Sequence, residues 1–581
     1  MTIALPAAAA VVALVGAGIA VTGSDSAEAN EAPRISSQPP KPAEPSKSEL
    51  SKRVVDAMKA DTKSERSLVK QPDGAEASSA PSARIIGGQE TTISTAPWMA
   101  QLHFKDSTGA GYFCGGAVIA PTKVATAAHC VKGIKWYQTG VVVVGTDQLP
   151  TDTGQKDADG APVLDYHGGQ TRIAYRQWNH PAYSPYTLDA DVAVLTLASP
   201  VSVKPLPLAQ PTDSALYQAG RDGKVYGWGR TSSTNPDSAS QTLKVADADI
   251  VSDTNCAAAY PDGFIKGHML CAGAAPTGSD ETSETTCNGD SGGPLVVGGK
   301  LVGIVSWGDA DCSAAGKYGV YAKVSTYSAP IQARVDDTNW SGDDHTADLL
   351  ARRASDNTLF GWVSRVTSLY RKFNHGNWAG ITMQVQGDLN RDDYQDLLFR
   401  MPNGDVYLGY SDTADPKLVA KAWGKHKAIL LPGDVTGDEL PDMIAVDSTG
   451  TMRIYPGKGT GAFAAPVAVG TAWGSFTMIR GHGDFTNDGK ADIFARAKDG
   501  KTYLYKGTGV ATKPWAAPVL VGAFGTMNAL ITTGDVNSDG VADVMTRDTA
   551  GKLWLYPGNG KGGFLARKDF GSGWQAYNLF G

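Results

Sequence analysis

The sequence predicts an all-β protein of several domains, on three observations. The chain has 581 residues, too many for one core and enough for about three to five ordinary domains. An acidic segment, Gly387-Asp388-Leu389-Asn390-Arg391-Asp392-Asp393-Tyr394-Gln395-Asp396, recurs as Gly433 to Asp442, Gly483 to Asp492 and Gly534 to Asp543, at a period of 46 to 51 residues. The first half, in turn, carries short apolar runs that read as strands, such as Val192-Ala193-Val194-Leu195 and Leu301 to Val305.

Each acidic copy leads into an apolar strand, a turn with glycine and an aromatic strand, for example Thr502-Tyr503-Leu504-Tyr505 or Leu553-Trp554-Leu555-Tyr556. A degenerate earlier copy spans Asp343 to Leu350 and keeps Asp344 and Asp348. Repeats of that length built from short strands predict a β-propeller or related blade array over residues 336–581. Five copies could close alone or with a partner.

The N-terminal boundaries follow from composition. Residues 3–22 are almost continuously apolar, and Ala27-Glu28-Ala29 fits signal-peptidase cleavage, so residues 1–29 read as a signal peptide. No Lys or Arg follows Met1, and a membrane anchor is the other reading of this run, which reaches the ~20 residues a span needs. Residues 30–84 are rich in Pro, Ser, Ala, Lys and Glu and poor in aromatics, with one short helix expected near Glu49 to Ala60. Such a segment buries too little apolar surface to fold alone and reads as a propeptide. The formal charge of -7 and pI near 5.8, without long basic runs, exclude a nucleic-acid footprint.

The chemistry is concentrated in Cys287-Asn288-Gly289-Asp290-Ser291-Gly292-Gly293-Pro294. A serine hydroxyl is protonated at neutral pH, so its use as a nucleophile needs an imidazole, and the imidazole needs a carboxylate to fix its tautomer. Upstream stand Thr126-Ala127-Ala128-His129-Cys130 and Asp189-Ala190-Asp191. Asp189 competes with Asp191 as orienter; the alternating apolar run after Asp191 favours Asp191. The order His129, Asp191, Ser291 differs from those of subtilisins and α/β-hydrolases.

From about Ile85 to Ala333 these motifs resemble the chymotrypsin-like (trypsin-fold) serine peptidases. The resemblance implies a double β-barrel peptidase domain over residues 85–335, a catalytic triad of His129, Asp191 and Ser291, and an oxyanion hole from the N–H groups of Gly289 and Ser291. It implies an activation site at Arg84-Ile85, where cleavage frees an amino group to pair with Asp290, so the protein would be made as a zymogen and activated by another protease. Six cysteines allow 15 pairings. The resemblance selects Cys114–Cys130, Cys256–Cys271 and Cys287–Cys312, the first and last bracing the loops of His129 and Ser291. It places Ser306, Trp307 and Gly308 on the substrate-binding segment, Ser306 touching Asp191, with Gly308 and Gly319 as open pocket walls. The pocket floor, where trypsins carry aspartate, is Thr285. A neutral floor cannot offset a buried Lys or Arg, which argues against tryptic specificity and for apolar or aromatic side chains. Glu284 lies one position off that floor, and Asp309 and Asp311 lie near the rim.

The acidic repeat resembles FG-GAP/VCBS-type repeats, whose loops bind calcium. Oxygen-bearing residues fall at positions 1, 3, 5 and 9: Asp388, Asn390, Asp392 and Asp396; Asp434, Thr436, Asp438 and Asp442; Asp484, Thr486, Asp488 and Asp492; Asp535, Asn537, Asp539 and Asp543. Hard oxygens on a short loop suit structural Ca2+, with Gly540 allowing the tight turn and Glu439 replacing that glycine. The expected product is a secreted, extracellular serine endopeptidase acting on proteins or peptides, without a catalytic cofactor, its repeats docking on a polymer or cell surface. The other reading is a calcium-dependent adhesion or carbohydrate-binding protein with a vestigial peptidase domain.

Overall fold

The computed structural model describes residues 32–33, 43–61, 85–235, 237–341, 346–410 and 415–581. The expected signal peptide, Arg84 and the Asp343–Asp344 pair lie outside them.

The first domain is built on two antiparallel sheets of seven strands, the half-barrels of the chymotrypsin-like fold. One runs Gln170–Arg172, Val141–Val144, Met99–Lys105, Gly111–Ala120, Lys123–Thr126, Ala193–Leu197, Ala174–Asn179. The other runs Gln89–Glu90, Lys244–Asp247, Lys224–Gly227, Pro294–Val297, Lys300–Trp307, Gly319–Lys323, Met269–Ala272. These runs are rich in Val, Leu and Ile, which fit a pleated surface buried on both faces. Val118, Leu195, Trp228 and Ile304 belong to one core that spans both sheets. The expected propeptide helix forms over Lys47–Asp61. It does not stand apart: Leu50, Val54 and Val55, spaced for one helix face, are buried against Val141, Val143 and Ile173 of the first sheet.

The second domain is a five-bladed propeller of four-stranded sheets. Four blades are continuous in sequence. The remaining one pairs Leu349–Arg353, Thr358–Ser364 and Leu369–Asn377 with Tyr577–Phe580, a strand from far downstream, so the ring is closed by its own chain. In four blades an arginine at or near the end of the second strand of the repeat ties its blade onward. Arg400 Nη1 donates to Trp423 O (3.1 Å) and His426 O (3.0 Å), Arg496 Nη1 to Phe524 O and Met527 O, and Arg352 and Arg547 do the same at their own junctions.

The two domains are docked through the acidic-loop face of the propeller. The helix Val324–Asp336 closes the first domain and delivers Arg334, Asp336 and Asp337 to the joint. Asp337 accepts Asp535 N at 3.0 Å and Arg334 Nη2 at 3.2 Å, and Arg391 Nη2 reaches Asp336 Oδ1 at 2.9 Å. Asp393 meets Lys123, Tyr175 and Arg176 of the first sheet, all of them largely buried.

Candidate active site and comparison with known proteins

His129 sits on the 3-10 turn Ala128–Cys130 that follows the strand Lys123–Thr126, and Asp191 stands two residues before the strand Ala193–Leu197. These strands are hydrogen-bonded neighbours, which brings the two side chains together. His129 Nδ1 lies 2.8 Å from Asp191 Oδ2, and His129 N donates to Asp191 Oδ1 at 2.9 Å. Ser306 Oγ donates to Asp191 Oδ2 at 2.5 Å, so the buried carboxylate is held from three sides. This arrangement leaves Nε2 as the only nitrogen able to face a substrate. Asp189, the competitor, turns elsewhere: it lies 2.6 Å from His268 Nδ1 and accepts the Tyr327 hydroxyl at 3.1 Å.

Ser291 and His129 line one cleft of about 510 Å3 together with Gly289, Thr285, Trp307 and Gly308. Among the described residues no hydrogen bond joins Ser291 Oγ to the imidazole. The nucleophile loop is pinned by its backbone: Gly115 N donates to Ser291 O at 2.8 Å and Gly292 N to Val305 O at 2.8 Å. Gly292 has φ +79°, and a Cβ there would lie 2.1 Å from Thr126 Oγ1, so the bend beside the serine requires glycine. The disulfides Cys114–Cys130, Cys256–Cys271 and Cys287–Cys312 all form. The first lies against His129 and the last anchors the segment leading to Ser291.

Asp290 is fully buried and among the described residues receives no cation and two backbone donors, Gly229 N at 2.9 Å and Cys287 N at 3.0 Å. Burial without a cation pushes its carboxyl up to about 7. Ile85 and Ile86 are buried, Ile85 in the core of the second sheet with Val225 and Leu295, and Ile86 pairs with Thr285.

Thr285 is buried and lines the cleft, as does Thr286. The Glu284 side chain leaves the pocket and accepts Asp247 N at 2.9 Å. Near the rim, Asp309 and Asp311 take backbone N–H groups of their own loop, and Lys317 also borders the cleft. A Cβ on Gly319 would stand 2.9 Å from Thr286 Oγ1, which keeps that wall open.

In the acidic loops the first aspartate folds the loop around itself. Asp535 accepts Asp539 N and Gly540 N, Asp484 accepts Thr486 N and Gly489 N, and Asp388 accepts Asp392 N and Asp393 N. The ninth-position aspartates anchor the loops. Asp442, Asp492 and Asp543 point inward, one oxygen taking N–H groups of the loop and the other the N–H of Gly457, Gly507 or Gly558 in the neighbouring turn. Asp396 takes Leu389 N in the same way. These buried carboxylates staple each loop to its blade. Burial and the neighbouring carboxylate raise Asp484 to about 6, and burial together with Asp539 raises Asp535 to about 6 despite Arg334.

One residue that sequence reasoning passed over is Asp393. It occupies the position of Gly540 in its loop at φ +69°, a conformation that favours glycine, and its carboxylate serves the domain joint. The departure from glycine was the available signal.

A family model described as trypsin matches residues 85–331, and one described as an FG-GAP-like repeat matches residues 484–546. A trypsin of Saccharopolyspora erythraea is 35% identical over 243 residues, covering 42% of this chain and 94% of that protein. A trypsin of Xenopus laevis is 34% identical over 251 residues, covering 43% and 90%, and the anionic trypsin of Bos taurus is 35% identical over 257 residues, covering 43% and 90%. Among solved structures, neuropsin, a serine protease expressed in the limbic system of mouse brain, is 30% identical with a TM-score of 0.34, covering 42% of this chain and 97% of that one. Through residues 85–331, followed by its FG-GAP-like propeller, this chain belongs to the trypsin family of serine proteases.

Proposed function

We propose that the protein is a secreted serine endopeptidase made as a zymogen, with Ser291 as nucleophile, His129 as general base and acid, and Asp191 as the group that orients His129. The observation that carries this reading is the Ser306–Asp191–His129 chain, which ends at a cleft shared with Ser291. In the working enzyme the Ser291 hydroxyl attacks the scissile carbonyl while Nε2 takes its proton. The N–H groups of Gly289 and Ser291 hold the oxyanion, and His129 returns the proton to the leaving amine, giving an acyl-enzyme that water then hydrolyses. Asp191 stabilises the imidazolium formed in between.

Cleavage after Arg84 by another protease would release the Ile85 ammonium, the cation that buried Asp290 lacks, and so order the oxyanion loop. Thr285 at the pocket floor supports a preference for large apolar or aromatic P1 residues over Lys or Arg. Hard oxygens at loop positions 1, 3, 5 and 9 fit Ca2+, and burial together with the neighbouring carboxylate already raises the first-position Asp484 and Asp535; the ion when bound would supply positive charge that fixes the loops and would take no part in the reaction. The propeller face away from the peptidase domain is the one free to dock on a polymer or cell surface. Labelling by a peptidyl phosphonate after cleavage at Arg84, mapped to Ser291, tests the enzyme reading; an activated protein that takes up no label is an adhesion protein instead.

A further inference from the structure

The helix Lys47–Asp61 does more than precede the catalytic domain. Besides the apolar face described above, Asp56 Oδ2 lies 2.9 Å from Lys105 Nζ and Arg53 Nη1 donates to Tyr137 O at 3.0 Å, while Ser48 bonds Asp157. At Gly111 the contact is backbone on backbone: a Cβ on that glycine would lie 2.0 Å from Ala57 O. The helix end that carries Ala57 and Met58 opens onto the same cleft as His129 and Ser291, beside Phe113. The cleft is thus walled on one side by a segment that stands N-terminal to the activation site.

We infer that this helix stays bound after cleavage at Arg84, as a non-covalent second chain, and that Ala57 and Met58 narrow the leaving-group side of the cleft. The inference rests on the activation reading above. The buried Leu50, Val54 and Val55 side chains, each contributing about 1.5–3 kcal/mol, with the three flanking polar contacts, give the helix a hold that does not depend on the peptide bond at Arg84. Substrates that end at the scissile bond in a small leaving group never meet this wall, whereas peptides extending beyond it must pass Met58.

The test uses the full chain with Ala80→Asp, Pro81→Asp, Ser82→Asp, Ala83→Asp and Arg84→Lys, so that enteropeptidase frees Ile85. After cleavage the fragment carrying residues 47–61 is expected to co-elute with the catalytic chain on size exclusion and to appear in its native mass spectrum. Gly111→Ala, at a site outside the catalytic machinery, is expected to release it, as is Val54→Asp from the helix side. Release raises kcat/KM for peptides extending to P3′ by about tenfold, equivalent to ~1.4 kcal/mol, and leaves that for chromogenic P4–P1 substrates within about twofold. A synthetic peptide of residues 44–61 added back reverses the gain. A fragment that separates from the unsubstituted catalytic chain overturns the inference, as does an equal change for both substrate classes. Freed Ile85 without any gain of activity sinks the activation reading instead, while co-elution still reports on the helix.

Discussion

Replacing Asp290 with Asn, in a Ser291→Ala background that prevents self-cleavage, has opposite effects before and after activation. In the uncleaved protein the carboxyl is pushed up to about 7 by burial, against an ordinary value of 3.8. The folded protein therefore holds a proton that the unfolded chain releases between pH 4 and 7. Stability is unaffected by this group below about pH 4, falls as pH rises through that window, and carries the full penalty above pH 7. At roughly 1.4 kcal/mol per pH unit the penalty has a ceiling of about 4 kcal/mol. Asn escapes it and keeps an acceptor for Gly229 N, but presents a donor to Cys287 N, a mismatch that costs about 1–2 kcal/mol. The net expectation is that Asp290→Asn stabilises the precursor by about 2–3 kcal/mol at pH 8 and destabilises it by about 1–2 kcal/mol at pH 4, where only the mismatch remains. Urea denaturation at the two pH values reads this difference. Once Ile85 is freed, the same substitution leaves a buried ammonium unpaired and destabilises the peptidase domain by about 3–5 kcal/mol. Destabilisation of the precursor at pH 8 equal to that at pH 4 would refute the reasoning, because Asp290 would then already have a cation.

Three other expectations follow from the same geometry. Thr285→Asp puts a carboxylate at the pocket floor and should raise kcat/KM for Arg at P1 by about 10–150-fold relative to Phe, the worth of one charge-assisted contact, as read from a peptide library. Asp393→Asn removes the carboxylate that pairs with the buried Lys123 and Arg176 at the domain joint and should cost about 3 kcal/mol; calorimetry is expected to show the peptidase and propeller transitions separating, and a single unchanged transition would remove Asp393 from the joint. Chelation with EGTA should lower the propeller transition while leaving chromogenic-substrate hydrolysis by activated enzyme intact, and Asp488→Asn should weaken Ca2+ binding measured by titration calorimetry.

What the sequence disclosed and what it withheld divide along a physical line. The His129–Asp191 pairing, the disulfides and the repeats are legible because each needs a particular residue type at a particular place: an imidazole beside a carboxylate, a thiol, a tight acidic loop. Asp191 could be preferred over Asp189 from the alternating run that follows it, but only the fold shows that Asp189 is taken by His268 and Tyr327. Ring closure by Tyr577–Phe580 carries no local signal, since its partner Leu349–Arg353 is set by the geometry of the whole ring. The inward turn of Asp442, Asp492 and Asp543 is equally hidden, because spacing specifies which residues share a loop and not which way a carboxylate faces. The composition of residues 30–84 predicts no core of their own, yet a helix of Leu50, Val54 and Val55 borrows one from the barrel beside it.

Docking through the acidic-loop face alters what the propeller can do. A flexible tether would raise local substrate concentration without fixing where the substrate arrives. Here Arg334, Asp337 and Asp535 form one buried cluster and Asp393 another, so loop and joint share side chains and backbone. A cation drawn to the Asp535 loop would therefore act on the same carboxylates that hold the peptidase domain in place, and would strengthen the joint by relieving repulsion between Asp535 and Asp539. The loops then hold the peptidase domain in place, and on the proposed reading any recognition of a polymer or surface would fall to the opposite face, where Arg352, Arg400, Arg496 and Arg547 tie the blades together. If the propeller does grip a surface, a peptidase domain fixed to it in this way would meet that surface at a constant angle, which would favour substrates that are themselves part of it.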